Sequence, residues 1–139
     1  MKKIIIISLL LLSVLACKKK GYSPEGPTDV RIRNLSDLLF QEVIVSTSEK
    51  PGDIDTLGNI ANGSTSDYSR FTKAYPKAEI SAKINIGGTL VKFSTGTVSY
   101  TYMQYIGQDK ITYEVNISNP TNHVLTISNV IMEEPLELK

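Results

Sequence analysis

Hydrophobic and polar residues alternate with a period of two along most of the chain after residue 30. The longest alternation places Ala78, Ile80, Ala82, Ile84 and Ile86 on one face of an extended segment, with polar residues between them. Alternation over such a length predicts a half-buried β-strand, because successive side chains of a strand point to opposite faces of the sheet. Similar patterns predict strands over residues 30–33, 40–47, 89–94, 111–118 and 124–131.

Turn-forming residues separate these segments. Asn62-Gly63 and Gly87-Gly88 tolerate positive φ and therefore predict tight hairpins. Short strands at this spacing predict an all-β fold. We expect an antiparallel β-sandwich of immunoglobulin-like or transthyretin-like kind, with a small β-barrel as the alternative. About 110 residues are enough for one core, so we expect a single domain over residues 30–139.

The first seventeen residues have a pattern of their own. Lys2 and Lys3 precede the mostly apolar run Ile4–Leu15, and Cys17 is the sole cysteine of the chain. An apolar run of this length is typical of a secretory signal peptide, whereas a membrane-spanning helix needs about 20 apolar residues. Val14-Leu15-Ala16-Cys17 resembles the lipobox of bacterial lipoproteins. The resemblance implies cleavage before Cys17 and attachment of fatty acyl groups such as palmitate to it.

The lipobox also predicts how the rest of the amino-terminal region is organised. Residues 1–16 are the predicted signal peptide, and residues 17–29 are the lipidated cysteine with a flexible tether rich in Lys, Gly and Pro. In some lipoprotein groups, acidic residues after the cysteine direct export to the cell surface. Their absence here favours the periplasmic face of the outer membrane of a Gram-negative bacterium. An ordinary cleaved signal, with Cys17 as a free thiol, is the alternative.

Three stretches of the remaining chain, Val30–Ser36, Gly63–Tyr68 and Phe71–Tyr75, resemble small β-rich lipoproteins of Gram-negative cell envelopes. This resemblance implies a fold and a compartment but no reaction.

The charge balance excludes one class of partner. The chain carries 15 Lys+Arg and 14 Asp+Glu, and removal of the signal peptide takes away Lys2 and Lys3, which leaves 13 basic against 14 acidic residues. Nucleic-acid-binding proteins carry a basic excess, so we expect no nucleic-acid partner. An acylated Cys17 leaves no thiol for a disulfide, a nucleophile or a thiolate metal site.

Motifs for catalysis and for cofactors are scarce. His123, the one histidine, follows a Pro-Asn turn and has no nucleophile motif to serve, while Asp53 and Asp55 lack the further oxygen ligands that calcium requires. We therefore expect a protein that is not an enzyme, with no catalytic residue, no metal site and no cofactor. Asp55-Thr56-Leu57 resembles the O-glycosylation acceptor of some bacterial envelope proteins, which makes Thr56 a candidate for modification.

Tyrosines are concentrated in residues 98–105. In an unbroken strand Tyr100 and Tyr102 share one face and Tyr105 takes the other. Tyrosine combines a broad apolar ring with a polar tip, which suits contact with protein or sugar, so these three are candidate ligand contacts. The alternative is that Tyr100 and Tyr102 cover the core of the sheet.

These patterns together predict a lipid-anchored envelope protein that acts as a non-enzymatic binding module for a protein or glycan partner, held to the membrane through its lipid. The alternatives are a structural accessory subunit or inhibitor in an outer-membrane assembly, and a small hydrolase built on His123.

Overall fold

The structure, a computed structural model, describes residues 23–135, so the predicted signal peptide, Cys17 and the first part of the tether lie outside it. All regular elements among the described residues are β-strands, which confirms the all-β class. In chain order the strands are β1 Thr28–Asn34, β2 Phe40–Ser46, β3 Ile54–Ile60, β4 Ser69–Phe71, β5 Glu79–Ile86, β6 Thr89–Ser94, β7 Asp109–Asn119 and β8 Val124–Pro135. Within residues 23–135 no helix is long and apolar enough to cross a membrane.

The eight strands form one mixed sheet in the order β3-β2-β5-β6-β8-β7-β1-β4. β1 pairs with β7 and β6 with β8 in parallel, so the expectation of a wholly antiparallel sheet is wrong for these two pairs. The sheet curls until its edge strands meet, where the Ser69 hydroxyl donates a hydrogen bond to Asp55. A sandwich is therefore not confirmed. One sheet that nearly closes on itself agrees with the small-barrel alternative.

The interior is filled by the residues that the alternation marks as inward-facing. Ala78, Ile80, Ala82 and Ile84 are buried, whereas Ile86 is 43% exposed because it lies at the turn between β5 and β6. The largest fully buried side chains are Tyr113, Phe40, Phe71, Phe93, Ile32, Ile60, Ile80, Ile84, Ile111 and Leu125. They come from most of the strands, so the core is a product of the whole sheet.

The two predicted hairpins have different outcomes. Gly87 and Gly88 adopt φ of 59° and 91° and join β5 to β6, as predicted. Gly63 also forms a turn, but β3 does not pair with the segment that follows it. Thr65 instead bridges to Arg33 of β1, so the hairpin prediction at this position is wrong.

The alternation does not reveal two of the strands. β3 has an exposed surface along most of its length and contains Gly58, while β4 has only three residues. Both are edge strands of the sheet. An edge strand needs less apolar surface than a central one, so its sequence pattern is weak.

A pair of isoleucines on β5 tests this core. Replacing buried Ile84 by Ala should lower the free energy of unfolding by about 2–5 kcal/mol, because it removes apolar contacts and leaves a cavity. Ile86→Ala, the same change two residues along the strand, should alter it by only about 0.5 kcal/mol. Urea unfolding followed by circular dichroism measures both. Equal effects of the two substitutions would contradict the observed orientation of β5.

Candidate functional site

Four segments meet at one end of the sheet. We call them together the loop cluster: residues 23–27, which form the lead-in segment, and the loops 47–53, 72–78 and 95–108. The Thr47 hydroxyl donates to the backbone oxygen of Lys73 at 2.7 Å, and the Ile106 amide donates to the oxygen of Ala74 at 2.8 Å. The loops are thus joined to one another as well as to the strands that carry them.

The buried carboxylate of Asp53 is the main connection between two of these loops. It accepts hydrogen bonds from the Thr72 amide at 2.6 Å and from the hydroxyls of Thr72 and Ser48. Asp55 binds elsewhere, to Ser69, so the two aspartates do not converge on one point. No group of three or more His, Cys, Asp or Glu residues within 23–135 is placed to hold a metal ion. The contacts of Asp53 are those of a structural residue.

The lead-in segment packs against the domain, which corrects the predicted extent of the tether. β1 begins at Thr28, before the expected boundary at residue 30. Gly26 is buried, and a Cβ on it would lie 2.0 Å from the backbone oxygen of Thr72, so no other residue fits there without a shift of the chain. Gln108 donates through Nε2 to the oxygen of Ser23 at 2.9 Å.

An ion pair completes the attachment of this segment. Lys73 Nζ lies 2.7 Å from Glu25 Oε2. This contact lowers the pKa of Glu25 and raises the pKa of Lys73. Lys73 therefore links the lead-in segment to the loop 72–78.

A cleft of about 210 Å³, which we call the tyrosine cleft, opens between three loops of the cluster. Its walls include Glu49, Lys50, Lys73, Tyr75, Tyr100 and Thr101. The rings of Tyr75 and Tyr100 pack with centroids 5.0 Å apart and planes tilted by 33°. The cleft thus combines an aromatic wall with charged groups of both signs.

Hydrogen bonds to neighbouring residues hold both cleft tyrosines in place. Tyr100 donates its hydroxyl to the backbone oxygen of Ser46 at 2.9 Å, and burial raises its pKa to about 12. Tyr113, deep in the core, donates to the backbone oxygen of Tyr75, and burial also raises the pKa of Tyr113. The aromatic wall is consequently continuous with the core of the domain.

The three tyrosines predicted as ligand contacts do not share a surface. Residues 98–105 form no strand, which corrects the expectation, because the Met103 amide donates to the oxygen of Tyr100 and closes a turn. Tyr100 is only 7% exposed and forms part of the cleft wall. Tyr102, at φ 62°, projects from the turn with its whole side chain exposed. Tyr105 is half-buried.

Sequence patterns did not single out Glu49, Lys50 or Lys73 as site residues. Their bends are visible in the sequence as Lys73-Ala74-Tyr75-Pro76 and Lys50-Pro51-Gly52-Asp53. A bend predicts a loop, but only the fold determines which loops meet.

The other residues singled out from the sequence lie outside the cleft. His123 is exposed in the turn between β7 and β8, and its ring packs edge-on against Phe93 with centroids 5.0 Å apart. Thr56 is exposed on β3, and its amide donates to Asp55 Oδ1 at 2.8 Å.

A second polar cluster, at β1, β7 and β8, is fully occupied by its own contacts. Glu133 accepts hydrogen bonds from Arg31 at 2.6 Å and from the hydroxyls of Thr112 and Tyr68, while the Arg31 guanidinium lies 4.6 Å from the centre of the Tyr68 ring. These contacts join neighbouring strands. The tyrosine cleft, by contrast, combines open volume with an aromatic wall and charged side chains, and this combination makes it our candidate site.

Comparison with known proteins supports the fold only. No family model matches the chain, and no curated protein matches it either. The chain is similar to a solved structure, the NMR structure of a protein from Eubacterium rectale, with a TM-score of 0.51 and 14% sequence identity. The match covers 78% of this chain and 95% of the other. At this identity it indicates a shared fold, and no function follows from it.

The raised pKa of Tyr100 makes stability depend on pH. The unfolded chain releases this proton near the ordinary pKa of about 10, whereas the folded chain holds it up to about 12. The contribution of the buried neutral hydroxyl is therefore complete below pH 10 and is lost as the pH rises towards 12. Urea unfolding across this range should show a falling free energy of unfolding.

Two variants test whether Tyr100 is the source of this pH dependence. Tyr100→Phe removes the ionisable group and should reduce the fall, with a remainder due to Tyr113 and Lys73, whose pKa values are also raised. Tyr102→Phe removes a hydroxyl that the folded domain leaves exposed to solvent, and this variant should behave as the unmodified chain. A fall of the same size in all three proteins would exclude Tyr100 as its source.

Proposed function

We propose that this chain is a non-enzymatic, lipid-anchored protein of the bacterial cell envelope that binds a protein or glycan partner at the tyrosine cleft. The observation that carries the proposal is the assembly of the cleft from three separate loops whose buried polar groups are bonded to one another. Loops held in this way lose little conformational freedom when they bind, so more of the contact energy appears as affinity.

The composition of the cleft supports a partner of this kind. Tyrosine side chains contribute large contact areas and a hydroxyl, and they are enriched where proteins recognise one another. The cleft, at about 210 Å³, is smaller than the roughly 300–1,000 Å³ of pockets that enclose whole small molecules. It suits one side chain or one sugar unit of a larger partner.

The anchor is the second part of the proposal. Val14-Leu15-Ala16-Cys17 supports cleavage before Cys17 and its acylation, and two or more acyl chains hold a protein stably on a membrane. We place the protein at the outer membrane of a Gram-negative bacterium, on its periplasmic face. Within the all-β class, we assign the domain to small β-barrels because its single sheet curls from edge to edge.

We also propose Thr56 as a site of O-glycosylation. Its side chain is exposed on the edge strand β3, directly after Asp55, where a transferase could reach it.

The anchor is tested by replacing its sulfur. Cys17→Ser should abolish cleavage before residue 17 and the added acyl mass, because no thioether can form. Mass spectrometry of the amino-terminal peptide measures both effects, and Ser23→Ala serves as the control that should leave them unchanged. A Cys17→Ser protein that is processed like the unmodified chain would refute the lipid anchor.

The cleft is tested by photo-crosslinking in whole cells with the full chain. A photoreactive residue in place of Glu49, on the cleft wall, should give adducts with a protein or a glycan. The same residue in place of Asp37, also exposed but in the loop between β1 and β2, is the control. A protein adduct that co-purifies as a fixed subunit of an outer-membrane assembly would favour the accessory alternative. Identical adducts from both positions would contradict binding at the cleft.

A further inference from the structure

We propose that the loop cluster is the membrane-facing surface of the domain, with Tyr102 in contact with lipid headgroups. The occupant of this surface is the bilayer itself. The inference rests on the lipid anchor in the proposed function, and it confines any partner of the tyrosine cleft, which belongs to the same loop cluster, to the bilayer surface.

The length of chain between the anchor and the domain is the first argument. Cys17 and Ser23 are six residues apart, so even a fully extended chain spans only about 20 Å between them. A domain of about 110 residues has a radius of gyration near 13 Å, which corresponds to a diameter of roughly 34 Å, and it is therefore wider than this span. The anchor can reach the bilayer only if the surface around Ser23 lies close to it.

The contacts of the lead-in segment identify that surface. Gln108 binds the backbone of Ser23, Glu25 pairs with Lys73, and Gly26 packs against Thr72 without room for a side chain. Each of these contacts joins the segment to a loop of the cluster. The chain therefore leaves the domain towards Cys17 from the loop cluster itself, and this end of the sheet is the one nearest the membrane.

Tyr102 is the second, independent argument. Its φ of 62° lies in the left-handed region, which is unfavourable for a bulky residue, and its ring is wholly exposed. Packing inside the domain therefore does not account for a tyrosine at this position. Tyrosine is enriched at membrane–water interfaces, because its ring enters the apolar boundary while its hydroxyl stays among the headgroups.

The charges of the loop cluster indicate which lipid surface it suits. Its charged residues are Lys50, Lys73 and Lys77 against Glu25, Glu49 and Asp53. This balance provides no net attraction to anionic lipid. The loop cluster therefore needs no anionic lipid, and its contact should form on a zwitterionic bilayer; any attraction to anionic lipid would come from Lys18, Lys19 and Lys20 next to the anchor. A partner of the tyrosine cleft would then meet the protein at the bilayer surface.

Two exposed threonines provide a matched test in the full acylated chain. Thr101 lies beside Tyr102, whereas Thr89 lies at the β5–β6 turn, at the opposite end of β5 from the loop cluster. The eight residues of β5 span about 25 Å. Thr101→Cys and Thr89→Cys each introduce one reactive thiol, since acylated Cys17 has none. A fluorophore on this thiol is placed on phosphatidylcholine vesicles that contain a lipid with a quencher on its headgroup.

The label at position 101 should be quenched severalfold more strongly than the label at position 89. Tyr102→Ala in the Thr101→Cys chain should reduce this quenching, because the loop loses its contact with the headgroups. Equal quenching at the two positions would overturn the orientation while leaving the anchor intact, and no effect of Tyr102→Ala would overturn the contact of Tyr102. A chain that does not stay on the vesicles at all would overturn the lipid anchor of the proposed function as well.

Discussion

The parallel pairing of β1 with β7 is the constraint on which the rest of this structure depends. It joins segments that are about 80 residues apart, with Val30 opposite Ile111 and Ile32 opposite Tyr113, all four of them buried. The same pairing brings Thr28 to Gly107, where the threonine hydroxyl donates to the backbone oxygen at 2.6 Å. Without it, the lead-in segment and the long loop before β7 would not meet, and the loop cluster would not exist.

The loops of the cluster keep their shape because their buried polar groups are bonded within the domain. Every buried side-chain nitrogen or oxygen in the part of the chain that the structure describes has a hydrogen-bond partner. An unpaired buried polar group costs about 1–3 kcal/mol, so the network around Asp53 and the Tyr100 hydroxyl strongly favours one arrangement of the loops. The same residues that shape the cleft thereby contribute to the stability of the domain, which makes exposed neighbours such as Glu49 better probes of binding than Tyr100.

The fold connects the lead-in segment, which follows the proposed anchor in the chain, with the candidate site. The lead-in segment reaches the sheet beside Lys73, and Lys73 belongs both to its ion pair with Glu25 and to the wall of the tyrosine cleft. With the proposed anchor at Cys17, a short tether that enters at this point would limit the orientations of the domain on a membrane. The proposed orientation and the proposed binding surface therefore both depend on this one local arrangement.

The sequence by itself determined the strands with strong alternation, the Gly87-Gly88 hairpin and the inward face of β5, because these depend on interactions between residues close in the chain. The signal and lipobox pattern is local in the same sense and stays a prediction, since Cys17 lies outside the described residues. Only the tertiary structure decided the mixed strand order, the weakly patterned edge strands β3 and β4, and the separation of buried Tyr100 from exposed Tyr102. Strand pairing and loop meeting depend on contacts between distant segments, and alternation reports which face of a strand is buried but never which strand lies next to it.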